Sequence, residues 1–314
     1  MNFALDVMTG LSSEKKFLSS KYFYDEAGDK LFQQIMELDE YYLTKCEFEI
    51  LESHKDNLLE KFSNHRMPFQ LVEFGAGDGM KTKILISHFI TARADFSYLP
   101  IDISIHALDN LMCDLNRTYP DLQGQAINGD YFQGLRTLNG AIPKAILFLG
   151  SNIGNFSPLK ARDFLTEMRD CISVNDKILI GFDLKKDPEV IRKAYNDSKG
   201  ITRAFNLNLL KRINTELEGE FIIENFEHIP TYNPDTGAAK SYLVSTTDQT
   251  VYIGKLKRKF KFVAGEKIFM EISQKYDMDD IADLARWSGF RIAANYYDDK
   301  KYFVDSLWEP LPSR

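Results

Sequence analysis

Between residues 70 and 187, short apolar runs alternate with longer stretches of helical period. Short runs bounded by turn residues predict buried strands over 70–74, 96–101, 125–128, 145–149 and 177–182. The stretches between them predict helices over 81–92, 104–118 and 158–171. Thr82 and Ser104 stand at two helix starts, and Ser157-Pro158 is a cap followed by proline in the first turn. Strands that alternate with helices imply a parallel sheet with right-handed crossovers. Ligands of such sheets sit beyond the carboxyl ends of the strands.

The tail has a different pattern. Residues 281–287 form an amphipathic helical stretch closed by Gly289. Strand-like runs over 290–297 and 302–308 follow, joined by Asp298-Asp299-Lys300-Lys301, and predict a C-terminal β-hairpin. Residues 1–60 carry aromatic-rich helical patterns. Residues 188–275 predict helices over 188–196 and 201–217, then strands over 221–229, 239–245, 249–253 and 260–263. Asn233-Pro234-Asp235-Thr236-Gly237 is a turn signal between the first two of those strands. The expected organisation is an α/β core over 61–187 and 276–314. A second, discontinuous α+β lobe is expected over 1–60 and 188–275.

Composition narrows the function classes. The 314 residues are 44% apolar and 27% charged, as in a soluble globular protein. A net charge of −7 argues against a dedicated nucleic-acid binder. The one basic run, Lys255-Leu256-Lys257-Arg258-Lys259, reads as a solvated strand face or hairpin. Cys46, Cys113 and Cys171 are scattered, and no C-x-x-C or H-x-x-x-H pair occurs, so neither a metal nor a disulfide framework is expected. The N-terminus has no basic-then-apolar leader, and no apolar run approaches the ~18 residues of a membrane span. A cytoplasmic protein is expected, with a small-molecule substrate and without membrane or nucleic-acid partners; the sequence does not give the oligomeric state, and a monomer is compatible with it.

The chemistry begins where the first strand stops, at Glu73-Phe74-Gly75-Ala76-Gly77-Asp78-Gly79. A tight glycine turn feeding a helix lets a cofactor approach the backbone. The glycines run G-x-G-x-G, whereas the dinucleotide fingerprint is G-x-G-x-x-G. Glu73 and Asp78 are poor neighbours for a diphosphate and suit S-adenosylmethionine (SAM), which carries a sulfonium and an ammonium. The second strand ends in Asp102, spaced to bind ribose hydroxyls. Asp130 and the Tyr131 backbone follow the third strand, where they would meet an adenine ring. Gly150-Ser151-Asn152-Ile153-Gly154-Asn155 follows the fourth, a polar close-approach loop where an amine would meet the methyl donor. The C-terminal hairpin fits the SAM-dependent methyltransferase fold better than a dinucleotide enzyme, by analogy of fold alone.

A specific resemblance adds to this reading. Lys21-Tyr22-Phe23-Tyr24-Asp25, with Gly28 and Leu31-Phe32, and Glu40-Tyr41-Tyr42-Leu43-Thr44 resemble the N-terminal motifs of the histidine Nα-methyltransferases of ergothioneine biosynthesis. The resemblance continues through the glycine turn, Lys81-Thr82, Asp102-Ile103-Ser104, Gly129-Asp130-Tyr131 and the Gly150–Asn155 loop. It extends through Ala194-Tyr195-Asn196-Asp197, Gly200-Ile201-Thr202, Ala204-Phe205-Asn206-Leu207-Asn208 and Glu271-Ile272-Ser273-Gln274-Lys275, in order along nearly the whole chain.

That resemblance implies a Rossmann-like methyltransferase core and a substrate-binding lobe. It implies that Gly75, Gly77, Lys81, Asp102, Asp130 and Tyr131 hold SAM. Tyr41, Asn155 and Tyr195 would orient the α-amino and α-carboxylate groups of a free amino acid. The Gly150 carbonyl and Tyr24 would lie near the amine, with Tyr24 or Tyr41 passing its proton to water. Glu271, Ile272 and Ser273 would form the imidazole site. Phenols and amides can bind a carboxylate without setting a permanent cation beside the sulfonium, and tyrosine faces tolerate a methylammonium. One departure is Ser241, where the family pattern has a large apolar residue, and it bears on ring selectivity. The expected activity is SAM-dependent methylation of the histidine α-amine to the trimethyl betaine. The rivals are methylation of another amino acid or small amine, a nicotinamide-dependent oxidoreductase, and a non-enzymatic scaffold on the same fold.

Overall fold

The computed structural model describes residues 3–63, 67–138 and 140–312. The chain opens with three helices, α1 (Phe3–Ser12), α2 (Glu26–Met36) and α3 (Tyr42–Ser63). Asp25 starts α2 by accepting from Gly28 N at 2.7 Å. Alternation follows: β1 (Phe69–Phe74), α4 (Thr82–Thr91), β2 (Phe96–Asp102), α5 (Ile105–Thr118) and β3 (Ile127–Asn128). It continues with α6 (Tyr131–Thr137), β4 (Lys144–Phe148), α7 (Pro158–Cys171) and β5 (Lys177–Asp183). Next come α8 (Pro188–Tyr195), α9 (Ile201–Leu217), β6 (Phe226–Asn233), β7 (Ala238–Ser245), β8 (Gln249–Ile253), β9 (Arg258–Phe262) and β10 (Lys267–Gln274). The tail holds α10 (Met278–Trp287), β11 (Phe290–Tyr297) and β12 (Phe303–Pro310).

The contacts divide the chain into two units. One comprises Leu43–Leu184 and the chain from Tyr276 onward; the other comprises the chain up to Tyr42 and Lys185–Lys275. In the first, seven strands run in the order β11-β12-β5-β4-β1-β2-β3. The five strands β1 to β5 pair in parallel, while β12 is antiparallel to both β5 and β11. This is the Rossmann-like core with a C-terminal hairpin that the sequence predicts. Val72, Phe74, Ile146, Phe148, Ile180 and Trp308 are buried within its main apolar cluster. The chain leaves this unit at Leu184 and returns at Tyr276, and those two residues bridge in parallel, so the long excursion leaves the sheet whole.

Local differences have local causes. The boundary expected at residue 60 falls at Tyr42–Leu43, because α3 belongs with the sheet: Phe62 lies 6.2 Å from Phe69 and 6.3 Å from Phe89, ring to ring. Helix α6 was not predicted from the pattern and exists because Asp130 caps it. Thr82 begins α4 without capping it, since its hydroxyl is spent on Glu73. Ser104 does cap α5, accepting from Ala107 N at 3.2 Å.

The second unit has its own sheet, β10-β7-β6, antiparallel throughout, and the separate hairpin β8–β9. Phe23, Phe205, Leu209, Leu243 and Ile268 are buried in its own core. The turn at 233–237 forms as expected, with Asn233 Oδ1 accepting from Asp235 N at 2.9 Å and Thr236 N at 3.1 Å. The basic run lies in the β8–β9 hairpin. Strand β6 starts at Phe226, later than predicted, because residues 223–225 close a single tight helical turn. Strand β10 has too mixed a polar pattern to be read as a strand; pairing with β7 makes it one. Among the described residues, no helix is long and apolar enough to cross a membrane.

Candidate active site

The sheet unit gathers the residues expected to hold SAM at the carboxyl ends of β1, β2 and β3. Gly75 and Gly77 both adopt positive φ, +67° and +55°, which a side chain would strain. A Cβ on Gly75 would also come within 2.9 Å of the Tyr131 hydroxyl, whereas one on Gly77 would meet nothing within 4 Å, an open backbone face. Asp102 ties this turn to β2: its Oδ2 accepts from Gly77 N at 3.4 Å, and its Oδ1 from Ser104 N at 2.9 Å. Asp130 Oδ1 accepts from Phe132 N at 2.9 Å and Gln133 N at 3.4 Å, capping α6. The next residue, Tyr131, stacks on Phe74 with centroids 4.7 Å apart and planes within 1°. Burial pushes the Tyr131 phenol well up, with the Asp102 and Asp130 charges adding to it. The open Gly77 backbone between carboxylates therefore suits a cationic nucleoside and fits SAM.

The charge argument needs one correction. Glu73 does not face the turn. It is buried, with the Thr82 and Tyr98 hydroxyls donating to its two oxygens. Burial raises its carboxyl to about 7, against the two hydrogen bonds. Glu73 is an internal brace between β1, β2 and α4, so the acidic character of the site comes from Asp78, Asp102 and Asp130. Asp78 is exposed.

Lys81 and Gly150 meet through a residue the sequence did not mark. The fully buried Glu47 of α3 pairs with Lys81 Nζ. Its two oxygens accept from Gly150 N at 2.8 and 2.9 Å. The loop after β4 then turns through Ser151 at φ +54° into a tight helical turn over 152–155 that leaves Asn155 exposed.

The other unit holds the remaining expected residues. Tyr24 and Tyr41 both lie against Phe32, with ring centroids 5.6 and 6.4 Å away, and Tyr24 also meets Phe205 at 5.7 Å. The Tyr195 hydroxyl, at the end of α8, donates to Ser273 Oγ of β10 at 2.7 Å. The buried Lys275 Nζ donates to both, at 2.6 Å to Tyr195 and 2.8 Å to Ser273. It also lies 4.6 Å from the Tyr195 ring centre. A lysine amine therefore stands directly behind Tyr195.

Glu271, Ser273 and Lys275 alternate along β10 and the residue after it, so they share one face. Ile272 falls on the opposite face, opposite Lys240, and is not brought to the others. Ser241 of β7 is the register partner of Glu271. Glu271 keeps some exposure as a residue, but its carboxyl is enclosed, and burial raises it to about 7. Hydrogen bonds from Ser241 and Asn206, then the Lys275 charge, oppose that rise. The residue that departs from the family pattern thus acts on the very carboxylate expected to read the ring. Asn206 is fully buried and its Oδ1 has no hydrogen-bond partner, an acceptor left over near Glu271.

Comparison with known proteins places this geometry. The profile of a family described as histidine-specific, SAM-dependent methyltransferases matches residues 3–310. The chain belongs to that family. It is 33% identical over 281 residues to the histidine N-alpha-methyltransferase of Mycolicibacterium smegmatis, covering 89% of this chain and 86% of that protein. It is 29% identical over 289 residues to ergothioneine biosynthesis protein 1 of Schizosaccharomyces pombe, covering 89% of this chain and 37% of that protein. The L-tryptophan methyltransferase trpM of Psilocybe serbica is 28% identical, covering 85% of this chain and 82% of the relative. The resemblance stated from the motifs is borne out, and this chain is a SAM-dependent methyltransferase of the histidine-specific family. The nicotinamide and scaffold readings are set aside.

Proposed function

We propose that this methyltransferase acts on the α-amine of free L-histidine, adding methyl groups in succession up to the trimethyl betaine. The observation that carries the reading is the face of β10. Glu271, braced by Ser241 and Asn206, sits two residues from Ser273, which is bonded to Tyr195. One strand thereby presents an acceptor suited to an imidazole N–H and a hydroxyl pair suited to a carboxylate.

SAM, when bound, supplies the electrophilic methyl group and leaves as the neutral thioether. In this reading Gly75, Gly77, Lys81, Asp102, Asp130 and Tyr131 hold it. Asn155, Tyr41 and Tyr195 orient the amino acid, and the Gly150 carbonyl accepts from its amine. Each attack needs an unprotonated amine, and Tyr24 or Tyr41 passes the released proton to water. Displacement at the methyl carbon is in line, so orientation supplies much of the acceleration. The product would feed ergothioneine biosynthesis, for which the Schizosaccharomyces relative is named. The reading includes a reducing, cytoplasmic setting, supported by three scattered cysteines.

A second reading, another amino acid as acceptor, is favoured by Ser241 alone. One experiment separates the two: incubation with SAM and a panel of free amino acids that includes histidine and tryptophan, followed by mass spectrometry. The expected result is a ladder of one, two and three added methyl groups on histidine. Turnover of another amino acid with histidine untouched overturns the histidine assignment and leaves the family membership standing.

A further inference from the structure

Lys81 and Gly150 lie on elements far apart in sequence, and neither has a reason of its own to stay where it is. A lysine stem is flexible, and a glycine loop more so. One side chain joins them. Glu47 is fully buried near the start of α3, accepts from Gly150 N through both oxygens, and pairs with Lys81 Nζ. A buried carboxylate persists only when paired and hydrogen-bonded, and these contacts meet that requirement.

The fold makes room for it. A Cβ on Gly181 of β5 would collide with Glu47 Oε1 and approach the Phe303 ring at 3.0 Å, so the strand carries no side chain there. Asp305 of β12 is the register partner of Gly181 and is fully buried. Its oxygens make no hydrogen bond of ordinary geometry, yet Glu47 is near enough to act on it electrostatically. Burial first, then the Glu47 charge, hold the Asp305 carboxyl well above the usual range. Its neutral form is favoured beside the Glu47–Lys81 pair.

We propose that Glu47 is a positioning residue for methyl transfer: it locks the Lys81 amine to the Gly150 loop, so that both are presented together to the methyl donor. The proposal rests on the assignments made above, Lys81 to SAM and the Gly150 carbonyl to the acceptor amine. Glu47 itself touches no substrate. Its bond to the Gly150 amide fixes one side of a residue at φ +74°, and the following carbonyl takes its direction from that.

The test uses the full chain, with the SAM dissociation constant read by calorimetry and the thermal midpoint read alongside. Glu47→Gln keeps an acceptor for Gly150 but turns a donor toward Lys81. It is expected to weaken SAM about tenfold, the loss of one charge-assisted contact. In the double variant with Lys81→Gln, the loss is expected to be no larger than in Lys81→Gln alone, because the two act as one unit. Gly181→Ala, which displaces the carboxylate while leaving its charge, should weaken SAM in the same direction and serves if Glu47→Gln does not fold. A merely structural Glu47 would lower the thermal midpoint and leave SAM affinity of the folded protein unchanged, and that result overturns the proposal. So does full additivity of the Glu47 and Lys81 losses. Failure of the wild-type chain to bind SAM would instead overturn the cofactor assignment, taking the proposal with it.

Discussion

At the scale of single residues, the same side-chain type serves opposite ends. Glu73, Glu47 and Glu271 are all enclosed carboxylates, and only their neighbours tell them apart. Glu73 is a brace with its carboxyl raised to about 7 by burial. The native state therefore holds this proton more tightly than the unfolded chain does, between the ordinary carboxyl range and neutrality. Stability is unpenalised below the unfolded value and falls as pH rises through about 7, by on the order of 3 kcal/mol from this group. Glu73→Gln should abolish that part of the pH dependence, so the wild-type and variant unfolding curves diverge least in acid and most at alkaline pH. Denaturant melts across the range check it. The sequence placed Glu73 beside the cofactor because a strand end and a glycine turn look alike from both sides. Side-chain direction depends on Thr82 and Tyr98, one on the next helix and one on the next strand.

At the scale of elements, local signals were legible wherever a strand, a turn and a helix follow one another. The parallel strands, the capped α5 and the 233–237 turn all rest on residues within a few positions of each other. Strand β10 and helix α6 were not legible. The first is a strand by virtue of β7, and the second is a short helix that depends on its cap. Asp130 has two roles assigned to it, and they can be separated. Asparagine caps a helix about as well as aspartate, so Asp130→Asn should leave the thermal midpoint nearly unchanged. If the carboxylate also binds SAM, affinity for SAM should fall several-fold in that variant; calorimetry decides.

At the scale of the whole molecule, the candidate residues divide between two units, each with its own core. The residues proposed to hold SAM belong to the sheet unit, and Tyr24, Tyr41, Tyr195, Glu271 and Ser273 to the other. The division predicts separable defects. Tyr195→Phe should raise the KM for histidine about tenfold, one lost charge-assisted hydrogen bond, with the SAM dissociation constant unchanged. Asp102→Asn should do the reverse. Steady-state kinetics with calorimetry reads both, and a variant that moves both constants equally would contradict the division. By itself, the sequence determined the alternation of strands and helices, the glycine turn, the acids at the strand ends and the family, because all of these are patterns along a line. The tertiary structure decided which carboxylates are internal, that Glu47 joins Lys81 to Gly150, and that Ser241 stands opposite Glu271 with Lys275 behind Tyr195. Those pairings span from 30 to over 100 residues of chain, and no periodicity or spacing encodes them. They follow from strand register and from the burial that makes an unpaired polar group too costly to leave alone.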